Sequence, residues 1–101
     1  LGREGERWTA EALEQHGFRI VARNWHAPEG EVDLVALRDD ELYFVEVRTR
    51  RGLRLGTPED SLTPAKRARM ERVARRYLGE VAPTVEAWHL AFAAVALDGE
   101  G

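Results

Sequence analysis

Residues 30–50 read GEVDLVALRDDELYFVEVRTR, and the period of this stretch decides the fold. Side chains alternate across a β-strand. Glu31, Asp33, Val35 and Leu37 therefore fall on one side of a first strand, and Val32, Leu34 and Ala36 on the other. In a second strand, Leu42, Phe44, Glu46 and Arg48 oppose Tyr43, Val45, Val47 and Thr49. Asp39-Asp40 between them suits a two-residue hairpin turn. That turn sets Asp33 opposite Glu46 and Glu31 opposite Arg48, with the apolar pairs Val35/Phe44 and Leu37/Leu42 on the same side. Carboxylates directly opposite each other on a sheet repel, so the pattern is favourable where a cation stands between them. Magnesium is the natural occupant, being held by one or two carboxylates together with water and phosphate.

The spacing Asp33…Glu46-Val47-Arg48 resembles the PD-(D/E)xK nuclease superfamily, in which an Asp, a Glu and a Lys cluster on a β-hairpin. More closely, the blocks Gly5-Glu6, Gly30-Glu31-Val32-Asp33 and Phe44-Val45-Glu46-Val47-Arg48 resemble the bacterial YraN-like family, and the resemblance covers nearly the whole chain. It implies the fold of Holliday junction resolvases: a restriction-endonuclease-like α/β core with a mixed sheet flanked by helices. It also implies that Glu6, on the first helix, leans over the sheet toward Asp33 and Glu46. In the family the last strand carries Arg-Phe-Asp. Here Phe92 stands between Ala91 and Ala93, so both charged flanks are missing.

Composition narrows the classes. The 101 residues suit one domain with one modest core. The absence of cysteine excludes disulfides and thiolate metal sites. No apolar run approaches the ~20 residues that span a bilayer. The chain opens on Leu rather than Met, which suggests missing native residues, and no signal-peptide pattern is visible. These features suit a cytoplasmic enzyme or binding module. The net charge of −3 hides an asymmetry: from position 48 to 76 there are ten basic residues, nine Arg and Lys66, against Glu59, Asp60 and Glu71. Segregated basic charge marks phosphate binding, or else a solvated helix face.

Working outward from the hairpin, residues 3–15 read as a helix ended by Gly17, with Trp8, Ala12 and Leu13 on its apolar stripe. Residues 18–24 read as a strand and residues 24–30 as a loop, in which Trp25 and His26 either stack on a base or cap the core. His16, His26 and His89 have no partners at zinc spacing. Residues 50–62 form an Arg-, Gly- and Pro-rich loop beside the proposed site. Thr63-Pro64 starts a second helix, Thr as N-cap and Pro at its first position, that ends at Gly79. Met70, Val73, Ala74, Tyr77 and Leu78 face the sheet. Lys66 points inward on this helix, where Arg67, Arg69, Arg72, Arg75 and Arg76 largely point out. Residues 86–97 make a final strand, apolar enough to be largely buried. The order is α-β-β-β-α-β.

Phosphodiester hydrolysis needs an activated water, a neutralised phosphoryl oxygen and help for the leaving alkoxide, all of which metal ions supply. Asp33 and Glu46 are the expected magnesium (or manganese) ligands, with the Val47 carbonyl adjacent and Glu6 completing the shell. Glu31, paired with Arg48, is the orienting residue. The superfamily's lysine positions or deprotonates water, whereas Arg48 stays protonated and can only stabilise charge. Lys66 either replaces the missing amine or snorkels at the rim of the core. Arg50, Arg51, Arg54, Arg67 and Arg69 are the expected nucleic-acid contacts. Three readings follow: a metal-dependent endonuclease on DNA, branched or damaged; a nuclease fold that binds nucleic acid without cutting; or a small interaction subunit. Resolvases of this fold act as dimers, and exposed faces here allow a homodimer.

Overall fold

The computed structural model describes residues 2–51 and 62–97. In chain order these form helix α1 (Gly2–Gln15), strands β1 (Arg19–Ala27), β2 (Gly30–Arg38) and β3 (Glu41–Arg51), helix α2 (Pro64–Glu80) and strand β4 (Ala87–Leu97). The strands make one mixed sheet in the order β1-β2-β3-β4. The first three run antiparallel and β4 is parallel to β3. A parallel neighbour requires a crossover, and α2 lies in it.

Local chemistry explains the element ends. Asp39 and Asp40 take φ of 54° and 64°, the left-handed pair that a type I′ hairpin demands. The ladder above this turn, from Arg38↔Glu41 to Leu34↔Val45, has the predicted register. Gly17, at φ 90°, closes α1: Phe18 N–H donates to the Leu13 carbonyl and Gly17 N–H to that of Glu14, as in a Schellman end. Thr63 caps α2, its hydroxyl accepting from Lys66 N–H at 3.2 Å. This helix continues one residue past Gly79, and Val81 N–H bonds back to the Tyr77 carbonyl.

The helices cover opposite faces of the sheet. On one face Val73, Ala74 and Tyr77 of α2 pack with Val32, Val35, Leu42 and Phe44. On the other, Ala10 of α1 packs with Leu34 and Val45. Both faces of the middle of β2 and β3, around Leu34, Val35, Phe44 and Val45, are thus covered. At about 25 cal/mol per Å² of apolar surface buried, these central strands carry most of the packing.

Four expectations are corrected. Trp8 is 58% exposed rather than part of the stripe; Ala10 and Thr9 are buried instead. Residues 24–27 continue β1 rather than forming a loop, and Trp25 packs edge-on to Tyr77 with centroids 5.2 Å apart. Strand β4 is a sheet edge, and Val95 is its only buried residue among those described. An edge strand has no neighbour on one side, so its apolar composition did not ensure burial. Finally, Val32 joins Val35 over α2 while Leu34 faces α1, so strict alternation fails around Asp33.

The cause of that break is local. Asn24 adopts φ 50°, a conformation Asn tolerates better than most residues. It lies between the pairs Arg23↔Leu34 and Trp25↔Val32, opposite Asp33. Ala22 and Trp25, three residues apart, both pack toward α2, so β1 and β2 kink together at this step.

Candidate functional site

The kink is where the acidic residues gather. Gly5 sets the approach of α1: a Cβ there would lie 2.0 Å from Thr49 Oγ1, so only glycine lets the first turn touch β3. Glu6 follows, and its Oε1 accepts from Asn24 Nδ2 at 3.1 Å. The same amide nitrogen donates to Glu31 Oε2 at 3.0 Å.

Asp33 stands where the β2–β3 ladder ends. Its Oδ2 accepts from the Val47 backbone N–H at 2.7 Å, so a side chain takes the place a strand carbonyl would fill. The expected facing pairs Asp33/Glu46 and Glu31/Arg48 are absent from the ladder, which stops at Leu34↔Val45. The left-handed Asn24 sits opposite Asp33, at the step where this ladder ends. Glu31 is held by Asn24 instead of Arg48, with His26 Nδ1 at 3.7 Å from its other oxygen.

Electrostatics ties these groups into one site. Burial pushes the Asp33 carboxyl up to about 6; the Val47 N–H opposes the shift, and the charges of Glu46, Glu6 and Glu31 add to it. Burial likewise raises Glu46, with Arg48, Arg69 and Lys66 pulling it down and Glu31 pushing it up. Two half-buried acids that hold their protons more tightly than usual are a recognised mark of a functional site.

The cations converge on Glu46 from two elements. Gly30 leaves room for one of them, because a Cβ there would meet Arg69 Cδ at 3.1 Å; the arginine stem lies across the start of β2. Lys66 is half-buried on α2. The Arg48 Nε is buried without a hydrogen-bond partner among the described residues. Arg67 is exposed on α2, and Arg50 and Arg51 lie at the end of β3. Arg54 and most of the predicted basic loop lie outside the described residues.

The structure therefore brings Glu6, Glu31, Asp33 and Glu46 into electrostatic range, with Arg48, Arg69 and Lys66 around Glu46. Among the described residues no three His, Asp or Glu side chains are close enough to hold a metal by themselves. A cation at Asp33 and Glu46 would need backbone, water or phosphate oxygens for its remaining ligands, which is magnesium's usual arrangement. Asn24 and the Val47 N–H are the participants that sequence reading missed. The signal for Asn24 was its tolerance of left-handed backbone within an otherwise alternating strand; a backbone N–H leaves no signal.

Residues 5–97 match the model of the family described as uncharacterised protein family UPF0102. Among the relatives, a UPF0102 protein of Syntrophomonas wolfei is 45% identical over 77% of this chain and 68% of its own length. One of Herpetosiphon aurantiacus is 46% identical over 77% and 63%. One of Symbiobacterium thermophilum is 47% identical over 80% and 69%. The chain thus spans about two thirds of the length of these relatives. Among the described residues no helix is long and apolar enough to cross a membrane.

Proposed function

The chain belongs to the UPF0102 (YraN-like) family, and from that premise we propose that it is a metal-dependent endonuclease with a restriction-endonuclease-like core, cutting phosphodiester bonds in DNA. One observation carries the reading. Asp33 and Glu46 are half-buried acids with raised pKa, the charge of Glu46 adding to the shift of Asp33, and the Val47 N–H pins Asp33 beside the strand that carries Glu46, where the β2–β3 ladder ends. Such a pair is costly to keep ionised, and a divalent cation is the partner that removes the cost.

Asp33 and Glu46 would hold magnesium or manganese, with the Val47 carbonyl and Glu6 contributing directly or through water. The metal supplies a polarised water and neutralises charge on phosphoryl oxygens. The Val47 N–H fixes one oxygen of Asp33, and the other is the one we assign to the metal. Arg48 cannot serve as a base; it stabilises charge developing on the phosphoryl group. Lys66, half-buried on α2 and among the cations that lower Glu46, is the amine we assign to proton transfer. Arg67 and Arg69, with Arg50, Arg51 and Arg54, are the phosphate contacts. The reading places the protein in the cytoplasm, acting in repair or recombination, and the edge of β4, unpaired among the described residues, gives a second copy a place to pair.

Arginine at position 48 favours one other reading, a nuclease fold that binds nucleic acid without cutting it. The deciding assay is nicking of branched and linear DNA with magnesium or manganese. The endonuclease reading expects wild-type cleavage that Asp33→Ala and Glu46→Ala both abolish with the fold intact. Salt-sensitive binding without cleavage under either metal supports the second reading.

A further inference from the structure

The side chain of Asn24 joins two of the acids. Its amide offers two N–H donors, and both are used: Nδ2 reaches Glu6 Oε1 at 3.1 Å and Glu31 Oε2 at 3.0 Å. These carboxylates come from different elements, α1 and β2. The orientation is chemically fixed, because the carbonyl oxygen of the amide would repel either carboxylate. Asn24 also lies opposite Asp33 in the β1–β2 register, at the kink, with φ 50°. With Glu6, Arg7, Arg23 and Leu34 it lines a cavity of about 370 Å³.

A neutral donor at this place has a property that a cation lacks. Lysine or arginine would draw the two carboxylates together and cancel their charge, weakening the attraction for a divalent ion. An amide draws them together and leaves both charges in place. We propose that Asn24 is a positioning residue: it holds Glu6 and Glu31 beside Asp33 as anions, tying α1 to the kink. This rests on the metal-site reading above and extends it to a residue that the ligand set does not contain.

Two substitutions separate the amide from the backbone. Asn24→Gly keeps the left-handed conformation and deletes the amide. Asn24→Asp keeps the shape and replaces the donor with another carboxylate. The measurement is manganese binding by calorimetry on the full chain, with thermal unfolding of the same metal-free samples. A positioning role predicts dissociation constants raised about 10- to 100-fold in both variants, the range for lost supporting partners of metal ligands, in samples that thermal unfolding shows to be folded at the temperature of the titration. The Asp variant is decisive. If Asn24 only shapes the backbone, an added negative charge leaves manganese affinity unchanged or higher; positioning predicts that it falls. Wild-type affinity in both variants, or a loss that follows the unfolded fraction, overturns the role of Asn24 and leaves the metal site standing. Wild-type protein that binds no manganese overturns the metal site, and the role of Asn24 with it.

Discussion

The backbone N–H of Val47 donates to Asp33 Oδ2 at 2.7 Å, and through this bond the end of the β2–β3 ladder becomes a site. The bond satisfies a buried strand donor with a side chain and pins one acid beside the strand that carries Glu46. Beside it stand the other carboxylates, Glu6 and Glu31, and the cations that act on Glu46.

Burial of Asp33, with the neighbouring carboxylates adding to it, has a consequence for stability. Asp33 titrates at about 6 in the fold against an ordinary 3.8, so between those values the folded state binds more proton than the unfolded state. Stability contributed by this group is then present at low pH and declines as pH rises from about 4 to 6. Asp33→Asn keeps an acceptor for the Val47 N–H and removes the charge. It should raise metal-free stability at pH 7 by about 1–2 kcal/mol, less than a fully dehydrated acid with this shift would give, and by little at pH 4. Denaturant titrations at the two pH values check it.

Glu29 and Arg76 act in the opposite direction. Arg76 Nε and Nη2 each donate at 2.7 Å to the two oxygens of Glu29, fastening the β1–β2 turn to α2. The guanidinium hydrogen bonds hold Glu29 down to about 2 from its ordinary 4.5. Its contribution is therefore present above pH 4.5 and lost as pH falls toward 2. Arg76→Ala should lower the melting temperature at pH 7 and flatten the acid limb of the stability profile below pH 4.5.

Gly5 is required by packing. Its missing Cβ is the space that Thr49 Oγ1 occupies. Gly5→Ala should destabilise the fold by about 1–3 kcal/mol, the usual cost of overpacking, despite alanine's better helix propensity. Thr49→Ala removes the opposing atom, so the double variant should recover much of the loss. A double-mutant cycle measures the coupling.

Arg48→Lys tests the role of position 48. The substitution removes a buried Nε–H that lacks a partner among the described residues and introduces an amine that burial and neighbouring charge can deprotonate. Metal-dependent cleavage should rise about tenfold or more, within the range of general acid–base catalysis, with stability unchanged or slightly higher. Single-turnover rates against pH check it.

Much of this was legible because hairpin physics is local. Asp39-Asp40 dictated the turn and register, Thr63-Pro64 the start of α2, and Met70, Val73, Ala74 and Tyr77 its buried face. The pairing of Glu31 with Arg48 was misread because strand alternation was carried through positions 24 and 33. There a left-handed asparagine and a side-chain-for-backbone substitution break it together. Neither can be read from β2 and β3 alone, since the kink arises from β1 pairing against β2. Helical spacing puts Trp8 on one stripe with Ala12 and Leu13, yet α1 buries Thr9 and Ala10 instead, small residues that suit the close approach Gly5 allows. The burial expected of β4 failed for a topological reason: no apolar pattern says that a strand will lie at an edge.

The central claim is that Asp33 and Glu46 share one divalent cation. Crystals soaked in manganese test it most directly, through anomalous difference density. The account predicts a single strong peak within ligand distance of an oxygen from each of the two carboxylates, lost in crystals of Glu46→Ala. Density bound to neither side chain, or to only one of them, at a manganese concentration that supports cleavage would contradict it.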